Sequence, residues 1–225
     1  EMLNNAVDHS HAARASVFFR VDASTVHFDV RDRGVGLFRS IADKLRLADE
    51  HAAMVELIKG RTTTMPEAHS GEGIFFTSRA ADRFTLRSHR IGLEWDRARA
   101  DTFASDERFL RGTLVTFTVR RDTRRSLEAV FAEFAPEDYD FRFEKTSIQV
   151  RLLQPSYVSR SEARRLTANL QKFRHVVLDF EGVRSVGQAF ADELFRVFAS
   201  RHPDTSIEVV NARRAVRAML EHVGG

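Results

Sequence analysis

The order of strand-like and helix-like segments constrains this fold most, because that order changes part-way along the chain. Up to about residue 122, the sequence predicts a helix, two strands, two helices, a long loop, another helix and three strands. This order is typical of an α+β two-layer sandwich. From about residue 144, strands and helices alternate with short connections, which predicts a small α/β domain with a largely parallel sheet. We therefore expect two domains, 1–122 and 144–225, joined by a connecting helix and linker over 123–143.

The period of the apolar residues sets the expected bounds of each element. Val26, Phe28 and Val30 alternate with polar residues, as in a half-buried strand, and Asp22-Ala23-Ser24 before them is a hairpin turn signal. In the first domain we predict strands at 16–21, 25–31, 84–88, 92–95 and 113–120, helices at 1–10, 37–45, 50–58 and 74–81, and a long loop at 60–73. The connecting helix is predicted at 126–134. In the second we predict strands at 147–153, 175–180 and 206–210, and helices at 159–171, 188–200 and 213–222.

Composition excludes several classes of protein. The chain of 225 residues contains no Cys, which excludes disulfides and thiolate chemistry and favours a reducing, cytoplasmic compartment. No apolar run approaches the roughly 20 residues that span a membrane. Basic residues number 35 against 32 acids, and only four of the 35 are Lys, so the pI of about 9.7 reflects Arg in place of Lys. The interspersed charges favour a mixed solvated surface over a nucleic-acid groove.

The opening segment "EMLNNAVDHS" carries a short polar stripe on an otherwise apolar helix. Glu1, Asn5 and Asp8 are spaced by four and three residues, which places them on one helix face. His9 follows them, and we interpret it as a residue of the core or of a pocket edge. Because a helix rarely opens on a functional face without a cap, we expect further residues upstream of Glu1.

The segment "DRGVG" follows the second predicted strand. Asp32 at the strand terminus is a hydrogen-bond acceptor suited to the amino group of adenine. Gly34 and Gly36 allow the backbone to turn and to approach a flat ring closely. The same pattern also occurs in ordinary turns, so by itself it leaves both interpretations open.

Two further segments contain glycine beside a predicted element. In "HSGEGIFF", Gly71 and Gly73 precede a helix, whose free N–H groups suit phosphate oxygens, although a glycine hinge would have the same pattern. In "GTLVTFTV", Gly112 and Thr113 open a strand, and the Thr hydroxyl can bridge Asp32 and a purine.

Taken in order, these segments resemble the GHKL ATPase family. The run is E-x-x-x-N-A-x-D, then D-x-G-x-G, then G-x-G at a helix start, then G-T in a strand. The family includes the ATP-binding domains of DNA gyrase, mismatch-repair proteins, heat-shock chaperones, sensor histidine kinases and anti-sigma-factor kinases. The resemblance covers about residues 1–120 and implies the GHKL (Bergerat) ATP-binding fold, with ATP held between the sheet and a mobile lid at about 47–73.

The resemblance also implies a role for each matching residue. Glu1 would be the general base, and Asn5 would bind Mg²⁺ through its carboxamide oxygen. Asp32 would accept from the adenine amino group, and Thr113 would lie behind the base. Lys59 would reach a phosphate as a point charge, with a solvent-facing loop lysine as the alternative. The remaining residues are Asp8 on the adenine or ribose side, Gly34 and Gly36 along the base, and Gly71, Glu72, Gly73 and Ile74 at the phosphates.

The segment "HVVLDFEGVRSVGQAFADELFRVF", residues 175–198, resembles the centre of STAS domains, the fold of anti-sigma-factor antagonists. In that family a phosphorylatable serine begins the helix after a buried strand, whereas Gln188 and Ala189 stand at this place here. The resemblance covers roughly 144–222 and is closest to a STAS-like variant found behind GHKL domains in bacterial ATP-binding proteins. Such fusions often carry a DNA-binding part in front.

Together the two resemblances imply a bacterial regulator in which Mg-ATP, bound by the first domain, controls a STAS-like interaction domain. A serine/threonine kinase of the anti-sigma type and an ATP sensor without turnover remain open as alternatives. The expected cofactors are ATP and Mg²⁺. The expected partners are a protein bound through the STAS-like domain, a second copy of the chain in a homodimer, and DNA bound by upstream residues, with no membrane.

Overall fold

A computed structural model describes residues 1–60, 73–134, 145–152 and 156–224 of the chain. The chain divides into two compact units, Glu1–Glu133 and Phe134–Gly225. Each unit mixes helices and strands, and each is described here by itself.

Unit 1 contains a four-stranded sheet with the order β1-β2-β4-β3, in which every pair is antiparallel. The predicted hairpin between the first two strands is present. Asp22 closes it, because its carboxylate accepts from the backbone N–H groups of Ser24 and Thr25 at 2.9 and 2.8 Å. The strands are β1 Ala15–Val21, β2 Thr25–Asp32, β3 Arg83–Asp96 and β4 Asp101–Arg120.

The last two strands differ from the sequence prediction, which had three short strands in this region. β3 is continuous through His89, which adopts a left-handed conformation (φ 52°) where the register with β4 shifts. β4 also includes residues 101–112, which were not predicted as a strand. This stretch pairs with the outer half of β3 although it is polar and lacks an alternating apolar pattern.

Helices cover one face of this sheet. Val30 of β2 lies opposite Val115 of β4, which lies opposite Leu86 of β3, so all three side chains point to the same face. They are buried with Met2 and Phe38 and with other helical residues in one core. The helices of unit 1 are α1 Met2–His9, α2 Leu37–Leu45, α3 Glu50–Lys59, α4 Gly73–Ala80 and α5 Leu127–Phe134, each within one residue of its predicted bounds.

Unit 2 contains a parallel three-stranded sheet of order β5-β7-β9 and a separate pair of two-residue strands, β6 and β8. β9 matches the prediction and β7 ends one residue early. The strand predicted at 147–153 is only partly present, because β5 ends at Gln149 and a 3₁₀ turn, Val150–Leu152, follows it. β6 and β8 were not predicted. The strands are β5 Lys145–Gln149, β6 Ser156–Tyr157, β7 His175–Asp179, β8 Ser185–Val186 and β9 Ser206–Val210.

Two helices of unit 2 differ from the expected form. Helix α6, Arg160–Thr167, ends early because Asn169 is left-handed (φ 65°), and a 3₁₀ turn Leu170–Lys172 follows. The helix predicted at 188–200 is continuous but not uniform. It consists of α7 Gln188–Ala191, a π-helical segment Asp192–Phe198 and α8 Ala199–Arg201, and α9 Arg214–Gly224 ends the described chain.

No helix in the described part of the chain is both long and apolar enough to cross a membrane.

Candidate functional site

A pocket of unit 1 lies where the predicted site residues of α1, β2 and β4 meet. It holds about 420 Å³ of space between atoms, open solvent at its mouth included. Its floor is the apolar face of the sheet, with Val30, Leu86 and Val115, and its walls come from α1, α2 and the start of α4. The lining residues are Met2, Asn5, Ala6, His9, Ser10, Val30, Asp32, Gly36, Leu37, Ser40, Ile74, Leu86, Thr113 and Val115.

Asp32 is the buried acid of this pocket, with an exposed fraction of 4%. Its Oδ1 accepts from the backbone N–H of Gly34 at 2.9 Å and from that of Thr113 at 3.3 Å. Its Oδ2 accepts no hydrogen bond from any described residue. One carboxylate oxygen therefore orients the side chain, and the other is left for an outside donor.

Thr113 acts on the loop that follows β2. Its hydroxyl oxygen accepts from the backbone N–H of Leu37 at 3.0 Å, which ties the start of α2 to β4. The hydroxyl hydrogen remains available for a second partner in the pocket. Asp32 and Thr113 are thus both bonded to the loop between β2 and α2, Asp32 through Gly34 and Thr113 through Leu37.

Three glycines allow this close packing, and two of them were predicted to line a base. Gly34 lies so near the backbone oxygen of Ser10 that an added Cβ would overlap it. Gly36 has φ 83°, and an added Cβ would lie 2.8 Å from both Ser88 Oγ and His89 Nε2. Gly112, at φ 80°, lies against Asp32 in the same way, so the glycines are needed for the packing of the protein itself.

Helix α1 places only part of its polar stripe in the pocket. Asn5 lines the pocket, and its carboxamide makes no hydrogen bond with any residue that the structure describes. Asp8 is exposed and is not a lining residue, which differs from the predicted position beside adenine or ribose. Asp8 lies one helical turn after Asn5, but its side chain is exposed, whereas Met2 and Ala6 of the same helix are buried.

Glu1 precedes α1, is exposed and makes no side-chain cap bond. Its carboxylate lies against the first residue of α4, because a Cβ added to Gly73 would overlap Glu1 Oε2. The next residue, Ile74, lines the pocket. The structure thus brings the predicted base next to the helix start that was predicted to hold phosphates. Gly71 and Glu72 lie outside the described residues, as do most of the predicted loop (60–73) and residues 61–72 of the predicted lid (47–73).

Lys59 is not in a loop, contrary to the expectation for a phosphate-binding lid residue. It is the last residue of α3 and has an exposed fraction of 1%. Its Nζ donates to Glu56 Oε1 at 2.7 Å, one turn earlier in the helix. It is not a lining residue of the pocket, and burial of the charge is offset by this ion pair.

Several residues of this site were not singled out from the sequence. Ser10, Ser40 and Ser88 are buried polar residues around the loop, and Ser88 Oγ donates to the backbone oxygen of Gly112 at 3.2 Å. Isolated serines carry no sequence signal of this kind, because their role depends on which loops meet in the fold. His9 lines the pocket, in keeping with its interpretation as a pocket-edge residue. No group of three His, Asp or Glu that could hold a metal ion occurs among the described residues.

Comparison with known proteins identifies part of unit 2. Residues 162–217 match the model of the family described as "STAS-like domain of unknown function (DUF4325)". The match spans α6, β7, the π-helical segment and β9, which is about a quarter of the chain. No curated protein and no solved structure matches the chain. The STAS-like character of residues 162–217 is therefore shown, whereas no comparison supports a GHKL domain in unit 1, which stays a prediction.

Proposed function

We propose that unit 1 is a GHKL-type domain that binds Mg-ATP and that the bound nucleotide controls the STAS-like unit. The observation that carries this proposal is the state of Asp32. It is a buried carboxylate at the end of a strand, oriented through Oδ1, with Oδ2 available to a donor above an apolar floor. A flat base with one exocyclic amino group matches this arrangement.

The base would lie against the floor formed by Val30, Leu86 and Val115. Adenine would donate its amino hydrogen to Asp32 Oδ2, and the hydroxyl of Thr113 would donate to a ring nitrogen. Guanine has an oxygen in place of that amino group and would set an acceptor against the carboxylate. The pocket should therefore favour adenine nucleotides over guanine nucleotides.

Mg²⁺ fits the residues at the other end of the pocket. The carboxamide oxygen of Asn5 is a hard ligand with no partner among the described residues, and it would hold the ion together with phosphate oxygens and water. When bound, Mg²⁺ would supply neutralisation of the phosphate charge. Backbone N–H groups at the start of α4, beside Gly73 and Ile74, are suited to the phosphates themselves.

Glu1 determines whether the site performs chemistry. Its carboxylate is exposed and lies beside the start of α4, where it would accept a proton from water or from a substrate hydroxyl near the γ-phosphate. Water would make the protein an ATPase, whereas a substrate hydroxyl would make it a serine/threonine kinase of the anti-sigma type. An ATP sensor would need only Asn5 and Asp32, so the position of Glu1 favours phosphoryl chemistry.

The STAS-like unit would act as the output by docking to a protein partner. Any change in docking requires that ATP binds one state of the chain more tightly than another. DNA as a further partner, a homodimer and a cytoplasmic location remain part of the proposal.

Calorimetric titration of the intact chain with Mg-ATP and Mg-GTP tests the proposal. We expect saturable binding of Mg-ATP and a preference for adenine that is lost in Asp32→Asn, because an amide presents a donor as well as an acceptor. Asp204→Asn, which removes an exposed carboxylate of unit 2, is the matched control and should bind as the parent does. Parent-like binding and selectivity in Asp32→Asn would remove Asp32 from the site, and no binding by the parent would reject the proposal.

A further inference from the structure

A second pocket lies wholly within unit 2, and none of its lining residues has a role in the proposed nucleotide site. It holds about 490 Å³ of space between atoms, open solvent included, and lies between the end of α6 and the end of the π-helical segment with α8. Its polar lining consists mainly of Arg164, Asn169, Gln171, Glu193, Arg201 and His202.

Glu193 is the only acid among these lining residues, and it is already neutralised. Its exposed fraction is 4%, and it accepts from Arg164 Nε at 2.7 Å and from Nη2 at 3.4 Å. The hydrogen bond from Arg164 lowers the pKa of Glu193, and the charges of Arg164, Arg201 and Arg160 lower it further. The acid therefore stays ionised and paired, and it orients one edge of the Arg164 guanidinium.

The remaining charge of the pocket is positive. Arg201 is exposed and makes no ion pair or hydrogen bond with any described residue, although its charge contributes to the lowered pKa of Glu193. His202 follows it, and its ring packs against that of Phe198 with centroids 4.7 Å apart. One paired acid thus faces two guanidinium groups, which leaves the charge of Arg201 without a partner of opposite charge among the described residues.

The helix that supplies these groups departs from α geometry at the pocket. The π-helical segment Asp192–Phe198 contains Glu193 and ends directly before the turn that carries Arg201 and His202. Arg160 donates to Asp192 at 3.2 Å, so two Arg–acid pairs fix the segment to α6. Such π segments are rare and occur frequently at functional sites, because they change the direction of side chains at a cost in helix stability.

We propose that this pocket binds a small molecule that carries an oxyanion, either a phosphate or a carboxylate group. The anion would pair with Arg201 and with the free edge of Arg164, and the apolar wall of Val197 and Phe198 would cover its carbon portion. A planar guanidinium fork matches both oxyanions, so the two sources share one recognition chemistry. The site would make the STAS-like unit a receptor for a ligand of its own.

Titration of the intact chain, monitored through the NMR signals of the His202 imidazole, tests this proposal. The probes are inorganic phosphate and acetate in separate titrations, at constant ionic strength and pH. We expect a saturable shift of the His202 signals with at least one of them, and the comparison decides which oxyanion the pocket prefers. Absence of a saturable His202 shift with both probes would overturn the proposal.

Matched variants separate this site from non-specific attraction and from the nucleotide pocket. Arg201→Gln should weaken the interaction about tenfold, the loss expected for one charge-assisted hydrogen bond. Arg217→Gln removes an equal charge from an exposed position on α9 and should leave the affinity within about twofold. Asp32→Asn should not change the His202 titration, so the result stands independently of ATP binding by unit 1. Equal weakening in Arg201→Gln and Arg217→Gln would show general charge attraction and would also overturn the proposal.

Discussion

The position of Asp32 is fixed by two backbone N–H groups that bind the same carboxylate oxygen. Backbone N–H groups of Gly34 and Thr113 occupy Oδ1, and the glycines at 34 and 112 allow the backbone to come that close. A carboxylate held in this way loses little freedom when it accepts a further donor, which is the advantage of a preorganised site. The selectivity of the pocket is therefore expected to depend on loop glycines as well as on Asp32.

Two glycine substitutions should distinguish glycines that are needed for the stability of unit 1 from one that lies beside the proposed catalytic base. Gly34→Ala places a methyl group onto the backbone oxygen of Ser10, which cannot move without shifting the end of α1. We expect unit 1 to lose about 2 kcal/mol or more of its unfolding free energy. Gly73→Ala meets only the flexible end of the Glu1 side chain and should stay within about 1 kcal/mol of the parent.

Denaturant unfolding followed by Trp95 fluorescence measures both variants, because Trp95 is the only Trp of the chain and belongs to unit 1. Gly73→Ala should nevertheless lower ATP turnover if the parent hydrolyses ATP, since it displaces the carboxylate of Glu1. Similar stability of Gly34→Ala and the parent would show that the loop relaxes without the close contact to Ser10.

Site residues could be predicted from the sequence where their position depends on neighbouring residues in the chain and not on distant contacts. Asp32, Asn5 and Thr113 follow strand and helix periods, and the structure brings them to one pocket. Lys59 could not be placed in this way, because its burial depends on the continuation of α3 by one residue and on its pairing with Glu56. The contact of Glu1 with Gly73 joins residues far apart in sequence and has no local signal.

Helix α4 is the element that connects the pocket with the rest of unit 1. Its first turn carries Ile74 into the pocket, and its second turn carries Arg79, whose guanidinium lies 3.7 Å from the centre of the Trp95 ring. Burial lowers the pKa of Arg79 to about 10, while the charge of Glu133 on α5 opposes that shift. Phe76 of α4 also packs on Phe131 of α5, with ring centroids 4.7 Å apart. Displacement of α4 would thus reach both the sheet and α5.

The packing of α5 on α4 is tested by two substitutions on the same helix. Phe131→Ala removes the aromatic contact with Phe76 and should cost unit 1 about 1–2 kcal/mol. Leu127→Ala is the control, because Leu127 is 60% exposed and its truncation should cost less than about 0.5 kcal/mol. Denaturant unfolding provides the comparison, and equal effects of the two changes would show that α5 is not held through Phe131.

Mg-ATP should change the fluorescence of Trp95. Phosphates bound at the start of α4 would shift that helix, and Arg79 would then change its distance from the indole ring. We expect a saturable change in emission on excitation at long wavelength, with Asp32→Asn showing none at the same nucleotide concentration. A parent that binds ATP by calorimetry but keeps its Trp95 emission would show that α4 does not respond to the nucleotide.

Elements could be predicted where the apolar period is strong. The bounds of α2 and β9 match the prediction, since each has a clear period and a clear end. The outer half of β4 is polar and forms a strand only because β3 pairs with it, so tertiary context overrides local pattern there. The two-residue strands β6 and β8 are too short to show any period. The π-helical segment has the same apolar spacing as an α-helix and could not be distinguished from one.

At the scale of the whole molecule, the chain combines two units that each have a core of their own. Val30, Phe38 and Leu86 belong to the core of unit 1, whereas Leu178 and Phe190 are fully buried in unit 2. Two routes would let a nucleotide bound by unit 1 act through unit 2. The first is a change in how unit 2 docks to its protein partner, and the second is covalent transfer of phosphate to unit 2. The two routes differ in chemistry and can be distinguished.

A phosphate switch requires a hydroxyl at the start of the helix that follows β7, where free N–H groups and the helix dipole would favour the added charge. This helix begins with Gln188 and Ala189, which have no hydroxyl, and Gly187 before them packs tightly against the backbone of Val158. Ser185 is the nearest hydroxyl, but it lies in β8 and pairs with Ser156 of β6. We therefore expect that unit 2 acts by docking.

Mass spectrometry of the intact chain after incubation with Mg-ATP, followed by peptide mapping, distinguishes the two routes. The expected result is an unchanged mass, with no stoichiometric phosphate on any hydroxyl of residues 175–200. Ser185→Ala should be indistinguishable from the parent in this assay, because a residue that receives no phosphate cannot lose it. One phosphate per chain on Ser185 that disappears in Ser185→Ala would reject the docking route and favour the kinase alternative, with Glu1 as the base that activates the serine hydroxyl.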